Sequence, residues 1–150
     1  MTAKEWHEHL TGRFRVRMSF DEFCEVWNRA LVRKTILEDQ LFADLAKRFR
    51  LALLSNTDPI HVSFMERSFG FMRHFPALRR VYSCAVGASK PSTAIFEKAI
   101  AACGVPAGEI LYIDDVAQYV EAGRSAGLQA IQFVSAKQLE EELQRRGLVE

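Results

Sequence analysis

Apolar positions along this chain change their period near residue 50. Before it they recur at helical spacing. Phe20, Phe23, Cys24, Trp27, Ala30 and Leu31 form one stripe, and Leu37, Leu41, Phe42, Leu45 and Ala46 form another. Ser19 with Glu22 three residues later is a capping box that starts the first of these helices. After residue 50, short continuous apolar runs alternate with helical patterns. Leu51–Leu54, Val81–Cys84, Ile110–Ile113 and Ala130–Phe133 read as strands. Helices are predicted through Val62, Met65, Glu66 and Phe69, and through Ile95, Phe96, Ala99 and Ile100, the latter stopped by Gly104 and Pro106. A further helix runs to Gly127. The last one starts at Ser135, capped with Gln138, and stops at Gly147.

Uninterrupted apolar strands, each followed by a helix, predict an α/β fold: a three-layer, Rossmann-like parallel sheet with helices on both faces. Ligands of such sheets sit at the carboxyl ends of the strands, so the residues just after each strand are the place to look for chemistry.

Composition narrows the classes without choosing among them. The chain has 150 residues, 49% of them hydrophobic and 26% charged, a balance that supports one folded domain with its own core. Disorder is excluded by the density of large apolar residues at a net charge of +1. No apolar run approaches the roughly 20 residues of a membrane span. The charge balance gives no sign of a nucleic-acid partner, and Arg13, Arg15 and Arg17 read as a solvated connection between helices. Cys24, Cys84 and Cys103 lack the spacing of a disulfide framework or a zinc site. With no apolar leader after Met1, the expectation is a cytoplasmic protein with reduced thiols.

Several strand ends carry polar residues. Ser55 and Asn56 follow one strand, Asp114 and Asp115 follow another, and Lys90 sits before Pro91 in the loop ahead of a helix. The acids have two readings. Adjacent carboxylates repel unless a cation compensates, and hard ions such as Mg²⁺ take one or two carboxylates together with phosphate. Alternatively, Asp115 caps the next helix and Asp114 is solvated. Taken singly, Lys90 reads as a surface lysine and Ser55–Asn56 as turn residues. His7 and His9, two apart, do not share a helix face.

Order and spacing add a family resemblance. Leu53-Leu54-Ser55-Asn56-Thr57-Asp58-Pro59-Ile60-His61, then Gly87-Ala88-Ser89-Lys90-Pro91 with Ile95-Phe96, then Ile110-Leu111-Tyr112-Ile113-Asp114-Asp115, with Val120-Glu121-Ala122 and Ala126-Gly127, resembles the haloacid dehalogenase-like hydrolases. The likeness is to the subfamily with a small helical cap inserted after the first strand. It implies a cap remnant over residues 1–49 and an α/β core over residues 50–150. It also implies an aspartyl-phosphate mechanism on a small phosphorylated substrate. In it Ser55, with Asn56, binds a phosphoryl oxygen, Lys90 balances charge, and Asp114 and Asp115 hold Mg²⁺. The acid pair favours a phosphatase over a haloacid dehalogenase, which needs no metal.

The sequence departs from that pattern in three places. The first motif, Asp-x-Asp or Asp-x-Gly-Asn at the end of an early apolar strand, is missing. Asp21, Asp39, Asp44, Asp58, Asp114 and Asp115 all lie elsewhere. Tyr119 stands where relatives usually have Asn, and Asp58 where Asn is common. The expectation is an N-terminally shortened chain without a nucleophile or turnover. Its sheet would have a gap of about 9.5 Å, two strand spacings, in the middle. The flanking strands would then pair directly, be bridged by another segment, or be loose. A different expectation is a non-catalytic truncated paralogue, whose exposed gap binds a strand or a second copy of the chain as a homodimer.

Overall fold

The computed structural model describes residues 1–32 and 34–149; Glu150, the last residue of the expected core, lies outside them. The N-terminal third is helical. Helix α1 (Ala3–Phe14) starts at a capping box of Thr2 and Glu5, and α2 (Phe20–Asn28) at the expected box of Ser19 and Glu22. Helix α3 (Asp39–Arg48) follows. The α2 stripe predicts a helix reaching Leu31, but the α-helix stops at Asn28 and Ala30 and Leu31 continue only as turn.

The strands come next, each short. They are β1 (Leu53–Ser55), then α4 (Pro59–Ser68), then β2 (Arg80–Tyr82), which runs straight into the helical turn α5 (Ser83–Val86). After α6 (Thr93–Cys103) come β3 (Leu111–Asp114), α7 (Ala117–Ser125), β4 (Gln129–Gln132) and α8 (Ala136–Arg145). Each pair is parallel: Leu53, Leu54 and Ser55 oppose Arg80, Val81 and Tyr82, and Leu111 to Asp114 oppose Gln129 to Gln132. These are two parallel crossover units, as the alternation of apolar runs and helices requires. The strands are shifted from their apolar runs: Leu51 and Ala52 precede β1, and Ser83 and Cys84 belong to α5. Apolar runs mark burial, whereas strand ends depend on which backbone groups find a partner.

The expected break in the sheet is present. Among the described residues the strands form two separate two-stranded sheets, and no ladder joins β1 to β3. Neither direct pairing nor a bridging strand occurs among the described residues. The two halves are linked instead by packing and by side chains. Val81, Ile95, Phe96, Tyr112 and Leu128 form one core that reaches both sheets, with Phe96 edge-on to Tyr112.

Helix α3 is tied on by Asp39 to Arg73 and His74 and by Arg48 to the Gly147 and Leu148 carbonyls. Helix α2 is tied to α4 through a buried acid. Asp58 is 8% exposed, and its Oδ1 accepts the N–H groups of Ile60 and His61, capping α4. Its Oδ2 accepts the Trp27 indole N–H at 2.8 Å and lies 3.0 Å from His61 Nδ1. His61 Nε2 meets the Trp27 carbonyl at 3.0 Å, and the two rings stack. A buried acceptor serving this many donors leaves them all unpaired when removed. Asp58→Ala is therefore expected to destabilise the protein by about 2–4 kcal/mol in urea unfolding. Gly123 on α7 makes a second test. A Cβ there would lie 2.6 Å from Tyr112 Cδ1 and 3.1 Å from its Cε1, against a ring whose hydroxyl is also tied down. Gly123→Ala is expected to cost about 1–3 kcal/mol in the same assay.

Candidate active site

Strands β1 and β3 both end where polar residues begin, and the side chains there meet. Lys90 arrives from the loop between α5 and α6. Its ammonium donates to Asp114 Oδ2 at 2.6 Å and to the Leu54 carbonyl of β1 at 3.4 Å. The lysine side chain is only 9% exposed and the Asp114 side chain 7%. One cation thus touches both half-sheets at their carboxyl ends.

Each partner is held by others. The Asn56 side-chain amide pairs with the Lys90 backbone in both directions: the Lys90 N–H donates to Asn56 Oδ1 at 2.8 Å, and Asn56 Nδ2 donates to the Lys90 carbonyl at 3.0 Å. The Thr57 N–H donates to Ser83 Oγ, which donates to the Thr57 carbonyl, so the loop after β1 is also fixed to the start of α5. Asp114 Oδ2 further accepts the Tyr112 hydroxyl at 2.5 Å, and its Oδ1 accepts the Val116 N–H at 2.9 Å.

The electrostatics follow from this bonding. Burial opposes ionisation of Asp114, but the hydrogen bonds from Lys90, Tyr112 and the Val116 N–H, with the charge of Lys90, outweigh it and hold the carboxyl below its ordinary range. Burial, then the bond to Asp114 and its charge, push the Tyr112 hydroxyl up, so it stays a donor. The cysteines are free and half-buried, and burial raises each thiol, which leaves them poor nucleophiles at neutral pH.

Of the residues singled out in the sequence, Asn56, Lys90 and Asp114 are bonded into one cluster. Ser55 stands beside it as the last residue of β1, half-buried. Asp115 is exposed, and no hydrogen bond or ion pair engages its carboxylate among the described residues. The acids therefore differ: Asp114 is a buried anchor and Asp115 a solvated carboxylate. Asp58 is no part of the cluster; it is a buried cap. Sequence reasoning passed over Tyr112. Its signal was available, because residues two apart on a strand share a face, which puts its hydroxyl beside Asp114. Two open hollows elsewhere, one at Asp39, Phe71 and Arg73 and one at Asp44, Arg48 and Glu140, include none of these residues.

A profile of haloacid dehalogenase-like hydrolases matches residues 5–127. The chain belongs to this family. Structural neighbours agree on the fold. A wild-type HAD family enzyme from Bacteroides thetaiotaomicron, crystallised with magnesium and inorganic phosphate, superposes with a TM-score of 0.76 at 22% identity, covering 91% of this chain and 71% of that one. A HAD-like family hydrolase from Porphyromonas gingivalis gives 0.76 at 21% identity, covering 100% of this chain and 75% of that one. No curated protein matches. Among the described residues no helix is long and apolar enough to cross a membrane.

The donor set suits magnesium in kind. Mg²⁺ takes one or two carboxylates and completes its shell with water and phosphate oxygens. Asp115 is free to serve, and Asp114 Oδ1 accepts only one N–H. No group of three or more His, Cys, Asp or Glu side chains able to hold a metal occurs among the described residues.

The ion pair makes its own pH test. Because the folded carboxyl of Asp114 titrates below its unfolded value of ~3.9, the stability it contributes is fully present above that value. It is lost as pH falls through the lowered folded one. In urea unfolding, Asp114→Asn is expected to be about 2–4 kcal/mol less stable than wild type at pH 7. The gap should narrow toward pH 3.

Proposed function

We propose that this chain carries the phosphoryl-binding and charge-balancing part of a magnesium-dependent HAD phosphohydrolase that acts on a small phosphorylated metabolite. The observation that carries the reading is the Lys90 ammonium held between the end of β1 and Asp114 at the end of β3. Phosphoryl transfer asks a protein mainly for position and charge neutralisation. Lys90 supplies a fixed positive charge in a site with little solvent. Ser55, on the strand end that Lys90 touches, supplies a hydroxyl donor for a phosphoryl oxygen. Asn56 acts on Lys90, whose backbone takes both ends of its amide. Asp114 holds the lysine and is itself held by Tyr112. Asp115, with Asp114 Oδ1, would hold Mg²⁺, which when bound neutralises phosphoryl oxygens. Residues 1–49 would form the helical cap over this rim.

The 150 residues contain no aspartate at the end of an early apolar strand, so we propose that this polypeptide binds phosphate without turning substrate over. The compartment proposed is cytoplasmic. A non-catalytic module is the second reading, favoured by the absence of a ladder between β1 and β3 among the described residues. It would bind a strand or a second copy of the chain at that break. A dimer in light scattering that dissociates when Ile113, which is 36% exposed on β3, becomes lysine would favour it.

The test is phosphate binding by calorimetry, with p-nitrophenyl phosphate as the turnover probe. Wild type is expected to bind inorganic phosphate, more tightly with Mg²⁺, and Lys90→Met to lose about tenfold or more in affinity. Asp115→Asn should abolish the Mg²⁺ effect while leaving the urea midpoint unchanged, whereas Asp114→Asn lowers the midpoint. Equal phosphate affinity in wild type and Lys90→Met would overturn the phosphoryl reading. Turnover of p-nitrophenyl phosphate by the purified chain would overturn the proposed lack of a nucleophile.

A further inference from the structure

Lys90 has an aromatic neighbour that the reaction chemistry does not call for. The ring of Tyr119 lies 5.0 Å from the Lys90 ammonium, closer than that of Tyr112 at 6.0 Å. The Tyr119 hydroxyl lies 3.5 Å from Asn56 Nδ2, the nitrogen that also donates to the Lys90 carbonyl. Tyr119 thus touches the lysine at its charged end and the amide that clamps its backbone.

The placement is not incidental to the fold. Tyr119 sits in the first turn of α7. That turn is fixed at its start by the Val116 N–H bonded to Asp114 Oδ1, and the Tyr119 N–H donates to the Val116 carbonyl at 2.9 Å. The acid that holds the Lys90 charge therefore also sets the position of the ring against it.

An aromatic face attracts a cation but offers no hydrogen-bond donor to an anion. The side of the ammonium turned to Tyr119 is closed to a phosphate oxygen while the ring stays. An anion reaching Lys90 must either approach elsewhere or displace the ring. We propose that Tyr119 is a positioning residue that covers the Lys90 ammonium and gates the access of oxyanions to it. The anion is a phosphate group, so this part rests on the phosphoryl-binding reading above; the covering of Lys90 does not.

Two measurements separate these parts. The first uses no phosphate: timed acetylation with an N-hydroxysuccinimide ester, read by peptide mass spectrometry. In wild type Lys90 should react at least tenfold more slowly than Lys137, whose side chain is 86% exposed. Tyr119→Ala should raise the Lys90 rate about tenfold, the order expected for losing a desolvated cation–π contact. Tyr119→Phe, which keeps the ring, should stay within about twofold of wild type. Circular dichroism and urea midpoints check that each variant is folded, and Tyr119→Leu replaces the alanine variant if that one is not. The second measurement is calorimetric titration with inorganic phosphate. Tyr119→Ala should bind severalfold more tightly and Tyr119→Phe like wild type.

An unchanged Lys90 rate in folded Tyr119→Ala or Tyr119→Leu would overturn the proposal, as would Tyr119→Phe reacting as fast as either. If the labelling result holds but the ring-less variants bind phosphate no more tightly than wild type, the ring covers Lys90 without gating it, and the gate is overturned. If Lys90→Met binds phosphate as well as wild type does, the phosphoryl reading fails while the covering of Lys90 stands on the labelling rates alone.

Discussion

The ion pair of Lys90 with Asp114 is the constraint on which the rest of this structure depends. Burying two charges costs several kcal/mol each unless every remaining donor and acceptor is satisfied. Here they are. Asp114 accepts from Lys90, Tyr112 and the Val116 N–H, and Lys90 gives a further hydrogen bond to the Leu54 carbonyl. The pair holds the end of β3 to the end of β1 across a break that no backbone ladder spans among the described residues. A lysine suits this span because its long stem carries a compact charge with several donors, able to serve two acceptors on different strands.

Positioning and chemistry are divided among neighbouring residues. Of two adjacent acids, one is buried and anchored and the other is solvated and free, so the repulsion between them is relieved by environment. Asn56, which by type could hydrogen-bond a ligand, has its amide engaged with the Lys90 backbone. Ser55 is left as the hydroxyl at the rim. On the proposed reading, Ser55, Lys90 and Asp115 face the ligand, while Asn56, Tyr112 and Tyr119 contact Lys90 or Asp114.

A separate buried acid joins the helical segment to this frame. Asp58 caps α4 and at the same time binds Trp27 and His61, so the loop that leaves β1 also anchors α2. The same short stretch, Ser55 to His61, positions both the rim of the site and the helices beside it. Changes in this stretch should not separate stability from binding as cleanly as changes at Asp115, whose carboxylate has no hydrogen bond or ion pair among the described residues.

Local pattern alone settled much. Apolar runs of a few residues followed by helical stripes demanded parallel crossover units, because such strands must be covered on both faces. The capping box at Ser19, the cap at Ser135 and the stops at Gly104 and Gly147 lie where the pattern put them, since a cap is a hydrogen bond within a few residues. Ser55, Lys90 and Asp114 were legible as a set only through the family resemblance; the structure bonds Lys90 to Asp114 and places Ser55 beside that pair at the end of β1. What the linear sequence left open was every bond between distant segments. Nothing in the chain before folding distinguishes Asp114 from Asp115, or Asn56 as a clamp from Asn56 as a ligand group. Nothing in it puts Tyr119 over Lys90 or Trp27 against Asp58. Those choices depend on which partner arrives in three dimensions, and on how much water the packing leaves around each charge.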